Sequence, residues 1–167
     1  MKTLIAITFG LLALNATCQA IENSPDVVLQ RMQQLVPYAV DQTLETFSKS
    51  VHGGTQHIVV KSESNATQIK SLQTHLQKMV EKFRKGDFSI TERLHGADMP
   101  GLAQLKTTKP YDIKFEYTAL NNGGQIHYSS EYPLLVGALH EWFDAQSRGH
   151  GNISIPGHSQ HHSTPVE

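Results

Sequence analysis

The segment that most constrains the fold is a predicted β-hairpin whose turn is Asn121–Gly124. Before this turn, apolar and polar residues alternate over 113–119, which is typical of a strand with one buried face. Asparagine and glycine tolerate the positive φ angles of a tight turn, and 125–130 returns as the second strand. Pairing the first and last turn residues predicts that Tyr117 lies opposite Tyr128. An antiparallel sheet is therefore expected.

Amphipathic helices and one further strand are predicted to accompany the hairpin. The clearest helix ends at Gly86, and its apolar stripe at 3.6-residue spacing consists of Ile69, Leu72, Leu76, Met79, Val80 and Phe83. The last helix begins near Pro133 and ends at Gly149. The β-branched segment 55–61 is typical of a strand. Together these patterns predict an α+β fold, with a small three-stranded, mainly antiparallel sheet packed against amphipathic helices.

The two ends of the chain are predicted to lie outside this domain. Residues 1–20 have the positive start, short apolar run and small-residue exit of a secretory signal peptide. Residues 21–54 are predicted to form a kinked helical arm, because Pro37 interrupts a helical pattern of apolar residues. The α+β domain then spans 55–149, and the histidine-rich segment 150–167 is expected to be a disordered tail.

The signal peptide predicts a periplasmic or secreted protein. Cleavage after Ala20 removes Cys18, the only cysteine, so the exported chain would have no thiol and could form no disulfide. Lipoprotein processing at Cys18 is the competing possibility, but the residues before it match the required sequence poorly. No later segment is apolar over a long enough stretch to span a membrane.

Composition disfavours several classes of function. The chain has 14 basic and 15 acidic side chains, so a nucleic-acid partner is not expected. Loss of the cysteine excludes thiolate catalysis, cysteine metal sites and covalent haem attachment. A noncovalent haem would need an apolar pocket and is disfavoured, and phosphate-loop, dinucleotide and serine-hydrolase motifs are missing from the sequence. The unusual feature that remains is a total of ten histidines.

The histidines favour a transition-metal site. The irregular segment 87–110 brings an imidazole, a carboxylate and a thioether within five residues, and one histidine lies at the edge of the apolar stripe of each main helix. Without cysteine, imidazole and thioether are the softest donors left, which favours copper, with zinc or nickel as alternatives. The predicted ligands are His75, His95, His140 and Met99, with Asp98 and Asp144 as the carboxylates that orient them.

These residues also have structural interpretations. Met99 could fill the core beneath the loop, and His95 could bond a backbone carbonyl. His140 and Asp144, four residues apart, could form a local helix-stabilising pair. Four tail histidines could chelate a metal loosely or bind nothing: His150, His158, His161 and His162.

The predicted function is sequestration or delivery of a transition metal, copper first, without turnover. The partners expected are the metal ion and an envelope protein of unknown identity. The first alternative is a metal-free interaction or small-ligand-binding module, whose long loop covers a cleft between helix and sheet. The second is a metal-dependent hydrolase using His140, Glu141 and Asp144, a near match to the zinc-peptidase pattern His-Glu-x-x-His, although Glu141 is expected on the outer helix face.

Four segments resemble a family of small exported bacterial proteins of unknown activity: Gln73–Leu76, Gly86–Ser89, His95–Leu102 and Leu139–Gln146. The likeness extends from about Gln56 to Gly151. It implies an exported single domain and supports the three predicted histidine ligands as a set. Members are sometimes automatically named aspartate carbamoyltransferase, a name this chain does not support because it lacks the Ser-Thr-Arg-Thr carbamoyl-phosphate loop.

Overall fold

The computed structural model describes residues 24–151 and 154–156. The predicted signal peptide, most of the tail and three of its histidines (His158, His161 and His162) lie outside the described residues. A short 3₁₀ turn at Val40–Gln42 precedes the first strand. In chain order the elements are α1 (Pro25–Leu35), β1 (Thr43–Ser50), β2 (Gly53–Val60), α2 (Ala66–Arg84), α3 (Ser89–His95), α4 (Leu102–Lys106), β3 (Lys114–Leu120), β4 (Gly123–Ser129), α5 (Pro133–Gly149) and β5 (Ser154–Pro156).

The strands form one sheet in the order β3-β4-β2-β1-β5. The first four are antiparallel, and β5 pairs with β1 in parallel at the edge. The predicted α+β class is confirmed. The predicted strand number is wrong, because the sequence predicts three strands and misses β1 and the short β5.

Strand β1 lies where the sequence predicts the second half of a helical arm. Its apolar residues recur at helical spacing, but its buried positions alternate along the strand and include Thr43, Glu45 and Phe47. Two of these three buried side chains are polar, so the apolar pattern alone indicates the wrong period. Only the first half of the predicted arm is helical, and α1 packs into the core through Val28 and Met32.

The predicted hairpin is confirmed, with a register two residues away from the predicted one. Leu120 pairs with Gly123, and Tyr128 lies opposite Phe115 rather than Tyr117. The shift keeps every side chain on its predicted face because the strand period is two. Gly123, predicted as a turn residue, begins β4, and no side chain fits there because a Cβ atom would come within 2.1 Å of the carbonyl oxygen of Ile58 on β2.

Helices α2 and α5 pack on the same face of the sheet. Helix α2 contacts β3 and β4, whereas α5 contacts β1 and β2. Between them lie aromatic side chains that are almost fully buried: Phe83, Phe88, Phe115, Tyr128, Trp142 and Phe143. Trp142 and Phe143 occupy the inner face of α5, which leaves Glu141 exposed, as expected from the sequence. In the part of the chain that the structure describes, no helix combines the length and apolarity needed to cross a membrane.

Segment 87–110, which the sequence predicts to be irregular apart from a short helical turn at 100–105, contains two helices. Helix α4 lies at the predicted turn, α3 is additional, and Met99 is buried in the connection between them. Gly101 precedes α4 with a φ angle of 77°, and a Cβ atom there would lie 2.1 Å from the carbonyl oxygen of Ala138. This close approach packs α4 against α5, while α3 packs against α1.

Candidate functional site

A continuous chain of hydrogen-bonded side chains crosses the core. Tyr128 Oη donates to Gln56 Oε1 at 2.6 Å, and Gln56 Nε2 donates to Glu45 Oε1 at 2.6 Å. His150 Nδ1 donates to Glu45 Oε2, and His150 Nε2 lies 3.2 Å from His95 Nε2. Glu45, His150 and His95 are 1%, 4% and 6% exposed, so these polar groups are removed from bulk water.

Strand register and two helix ends bring these side chains together. Gln56 lies diagonal to Glu45 on one neighbouring strand and to Tyr128 on the other, so the three share the inner face of the sheet. His150 caps the end of α5, and His95 is the last residue of α3. The His95 ring lies so close to Gly149 that a Cβ atom there would be 2.8 Å from it.

The hydrogen bonds determine which ring nitrogens carry protons. A carboxylate only accepts hydrogen bonds, so Glu45 holds the proton of His150 on Nδ1 and leaves the Nε2 lone pair free. When both rings are neutral, His95 Nε2 therefore donates to His150 Nε2. Burial, most strongly, and the neighbouring His150 and Arg31 together lower the pKa of His95 to about 3, while Gln146 acts in the opposite direction. His95 is therefore neutral at physiological pH.

A small cavity of about 40 Å³ lies behind the histidine pair. Glu45, His150 and His75 line it, and the ring of His75 packs edge-on against Tyr38, with 5.6 Å between ring centroids. Burial, followed by the charge of Lys78, lowers the pKa of His75 to about 4. Burial, followed by Glu45, raises the pKa of the Tyr38 hydroxyl, which therefore stays protonated.

A larger cleft of about 590 Å³ opens in front of His95. Its walls come from the start of α1, the connection after α3 and the end of α5: Pro25, His95, Gly96, Ala97, Asp98, Met99, Pro100, Ala145, Arg148 and Gly149. Asp98 and Arg148 are exposed there, whereas Met99 is buried. His95 thus separates the hydrogen-bonded chain in the core from an opening to solvent.

The structure separates the three histidines predicted as ligands. His95 lies at the cleft and His75 lines the cavity behind it. His140 lies elsewhere, where its Nε2 donates to the carbonyl oxygens of Ser50 at 3.0 Å and Gly53 at 2.9 Å. Within residues 24–151 and 154–156, no group of three or more His, Cys, Asp or Glu side chains is placed to hold a metal ion.

The remaining predicted site residues lie in different surroundings. Asp144 pairs with Lys49 at 2.6 Å instead of orienting His140, and Met99 lines the cleft from the core side. His150, predicted as part of a disordered tail, is buried against Glu45. This corrects the predicted start of the tail, because the chain continues from His150 towards β5 at the sheet edge.

Sequence reasoning missed Glu45, Gln56, Gln146 and Tyr128 as site residues. Glu45 and Gln56 can be identified as neighbours only when residues 43–60 are recognised as a hairpin that turns between Ser50 and Gly53. Gln146 lies on the buried face of α5 beside His95, and its Oε1 atom has no hydrogen-bond partner. A polar residue at helical spacing from Trp142 and Phe143 is the signal that could have indicated it.

Neither models of known protein families, nor curated proteins, nor solved structures match this chain at a significant level. The resemblance of the four sequence segments to an exported bacterial family therefore stays a prediction. The function is inferred from the site itself.

Proposed function

We propose that this chain is an exported protein that binds a transition-metal ion, copper in preference to zinc or nickel, through His95 and His150. It would sequester or deliver the ion without catalysing a reaction. The observation that carries this proposal is the approach of the two buried imidazole Nε2 atoms to 3.2 Å, one of them on a histidine, His95, that lines an open cleft.

The separation of the two nitrogens suits a shared ion. Two nitrogens that each lie 2.0–2.1 Å from an ion at a tetrahedral angle are about 3.3 Å apart. The 3.2 Å between His95 Nε2 and His150 Nε2 is close to that value. An ion would take the place of the proton that the two nitrogens share, after the His95 proton moves to its other ring nitrogen.

The Glu45 carboxylate behind His150 also supports a metal site. Histidines that bind metals commonly donate their other N–H to a carboxylate, which fixes the tautomer and makes the ligand nitrogen more basic. His150 Nδ1 makes this contact with Glu45, whose other oxygen accepts from Gln56. The ring of His150 is therefore held with its lone pair directed at His95.

The nearby weaker donors favour copper. Met99, a thioether residue, borders the cleft that His95 also lines, and Gln146 Oε1 is buried without a hydrogen-bond partner. Two imidazoles near a thioether are a donor set suited to copper. Structural zinc sites use four protein ligands, and the part of the chain described by the structure offers only two strong ones here.

A metal-free ligand-binding module is the second candidate. The 590 Å³ cleft is within the size range of small-molecule sites, and it has charged groups of both signs on its wall. The hydrolase alternative gains no support, because Glu141 is exposed and His140 donates to two backbone carbonyls.

A titration of metal-free protein without a purification tag tests the proposal. Copper, zinc and nickel are each added against a competing chelator, and we expect one ion per chain with copper bound most tightly. His95→Gln and His150→Gln should each weaken copper binding at least about tenfold. His57→Gln is the matched control, because His57 lies on the opposite face of the sheet.

A further variant separates this site from the tail. Replacing His158, His161 and His162 by serine should leave one copper ion bound with unchanged affinity. Loss of copper in that variant, or full binding in both His95→Gln and His150→Gln, would overturn the proposed site.

A further inference from the structure

The cleft that His95 lines has an apolar wall open to solvent. Its volume of about 590 Å³ is within the range of small-molecule sites. Half of its ten lining residues are apolar: Pro25, Ala97, Met99, Pro100 and Ala145. Three of these five are exposed and Ala145 is half-buried, so a bound molecule would remove apolar surface from water. The cleft therefore favours a ligand with an apolar side chain.

Two further residues of the cleft wall carry opposite charges. Arg148, on the last turn of α5, and Asp98, in the connection between α3 and α4, are both exposed. Neither side chain has a hydrogen bond or an ion pair within the described part of the chain, whereas Lys106, for example, pairs with Glu92 at 2.6 Å. The two charges thus border the same cleft without neutralising each other.

A zwitterion matches these two charges. The guanidinium of Arg148 presents a planar fork of N–H donors that fits a carboxylate, and the carboxylate of Asp98 accepts hydrogen bonds from an ammonium group. A ligand with only one of the two groups leaves one charged side chain unpaired, which lowers its affinity relative to a zwitterion. An α-amino acid carries both groups on one carbon atom and its side chain beyond them.

We propose that the cleft binds a zwitterionic α-amino acid with an apolar side chain, such as leucine. Its carboxylate pairs with Arg148, its ammonium group pairs with Asp98, and its side chain covers the apolar wall. The ligand does not touch the ion proposed between His95 and His150, since His150 lines the inner cavity and not the cleft. The inference therefore goes beyond the proposed metal binding, and it gives the second candidate function a class of ligand.

Isothermal titration calorimetry of the metal-free, full-length chain with leucine tests the inference. We expect saturable binding of one leucine per chain. Isocaproate lacks the ammonium group of leucine and isoamylamine lacks its carboxylate, so each should bind about five- to tenfold more weakly. Equal affinities for leucine and both analogues would contradict the pairing of both charges.

Two substitutions identify which side chain holds which group of the ligand. Arg148→Gln should weaken the binding of leucine and isocaproate about five- to tenfold without weakening that of isoamylamine. Asp98→Asn should weaken the binding of leucine and isoamylamine without weakening that of isocaproate. Both residues are exposed, so we expect both variants to fold, which circular dichroism checks. Arg93→Gln and Glu63→Gln are the matched controls, because both residues are exposed and neither lines the cleft.

The outcomes separate this inference from the proposed function. The absence of saturable leucine binding, or leucine binding unchanged in both Arg148→Gln and Asp98→Asn, would overturn the inference. Copper titration of the parent chain is a separate measurement. Leucine binding in a chain that binds no copper would overturn the metal site and leave the inference standing, whereas copper binding without leucine binding would do the reverse.

Discussion

Glu45 and His150 are 105 positions apart in the chain and meet in the core, where the Glu45 carboxylate accepts a hydrogen bond from His150 Nδ1. This contact joins β1 to the end of α5. Buried ionisable groups are costly unless they are paired and hydrogen-bonded, and Glu45 has partners on both oxygens. The arrangement orients one imidazole, His150, towards another, His95.

Replacing Glu45 should therefore weaken metal binding without removing a ligand. We expect Glu45→Gln to lower the affinity for copper by about 10–100-fold, the usual effect of losing a carboxylate behind a ligating histidine. Competition with a copper chelator measures the affinity, and circular dichroism checks that the variant is folded. A folded Glu45→Gln protein with the affinity of the parent chain would show that Glu45 does not orient a ligand.

The far end of the hydrogen-bonded chain should contribute to stability. Tyr128→Phe removes the hydroxyl that donates to Gln56 and should lower the free energy of unfolding by about 1–2 kcal/mol. Tyr111→Phe is the control, because Tyr111 is 94% exposed and should change stability by less than about 0.5 kcal/mol. Urea denaturation measures both. Equal effects of the two substitutions would contradict a role for the buried hydroxyl.

The stability of the metal-free protein should fall in mild acid. The pKa of folded His75 is about 4, below its ordinary value of 6.5, so between these values the unfolded chain binds a proton that the folded chain excludes. The free energy of unfolding should thus be highest above pH 6.5 and fall towards pH 4, by up to about 1.4 kcal/mol per pH unit from this group. His95, whose pKa is also lowered, acts in the same direction.

His75→Gln isolates that contribution. Denaturation of the variant across pH 4–7 should give a shallower slope than the parent chain. A slope that is unchanged would mean that His75 is accessible to protons in the folded protein.

Two glycines make a matched pair for the packing of α4 on α5. Gly101→Ala places a Cβ atom 2.1 Å from the Ala138 carbonyl oxygen at a positive φ angle, and should cost more than about 3 kcal/mol of stability. Gly137→Ala meets nothing within 4 Å inside α5 and should stabilise the protein by about 0.5–1 kcal/mol. Thermal unfolding measures both. A mild effect at Gly101 would contradict the close contact of these helices.

The sequence predicts the long elements well because their apolar residues repeat regularly. Helix α2 and the β3–β4 hairpin are examples, and even the register error leaves the hairpin faces correct. Strand β1 is missed because its buried side chains include Thr43 and Glu45, so the pattern of apolar residues does not show which face is inside. Glu45, one of these two buried polar residues, is also the residue that orients His150.

The sequence predicts only those parts of the candidate site that depend on local features of the chain. His95 is placed in the site by its glycine-rich surroundings, a local feature that a sequence pattern can show. His150 cannot be recognised as a site residue from the sequence, because its buried partner Glu45 is more than a hundred positions away. His140 has the predicted helix position, but the carbonyl groups of Ser50 and Gly53 use its Nε2 proton.

Anomalous X-ray diffraction at the copper edge, from crystals of copper-loaded protein, tests the central claim most directly. The account predicts one strong anomalous peak at about 2.0–2.1 Å from both His95 Nε2 and His150 Nε2. A peak only at the histidines beyond residue 156, or an intact His95–His150 hydrogen bond with no copper beside it, would contradict the account.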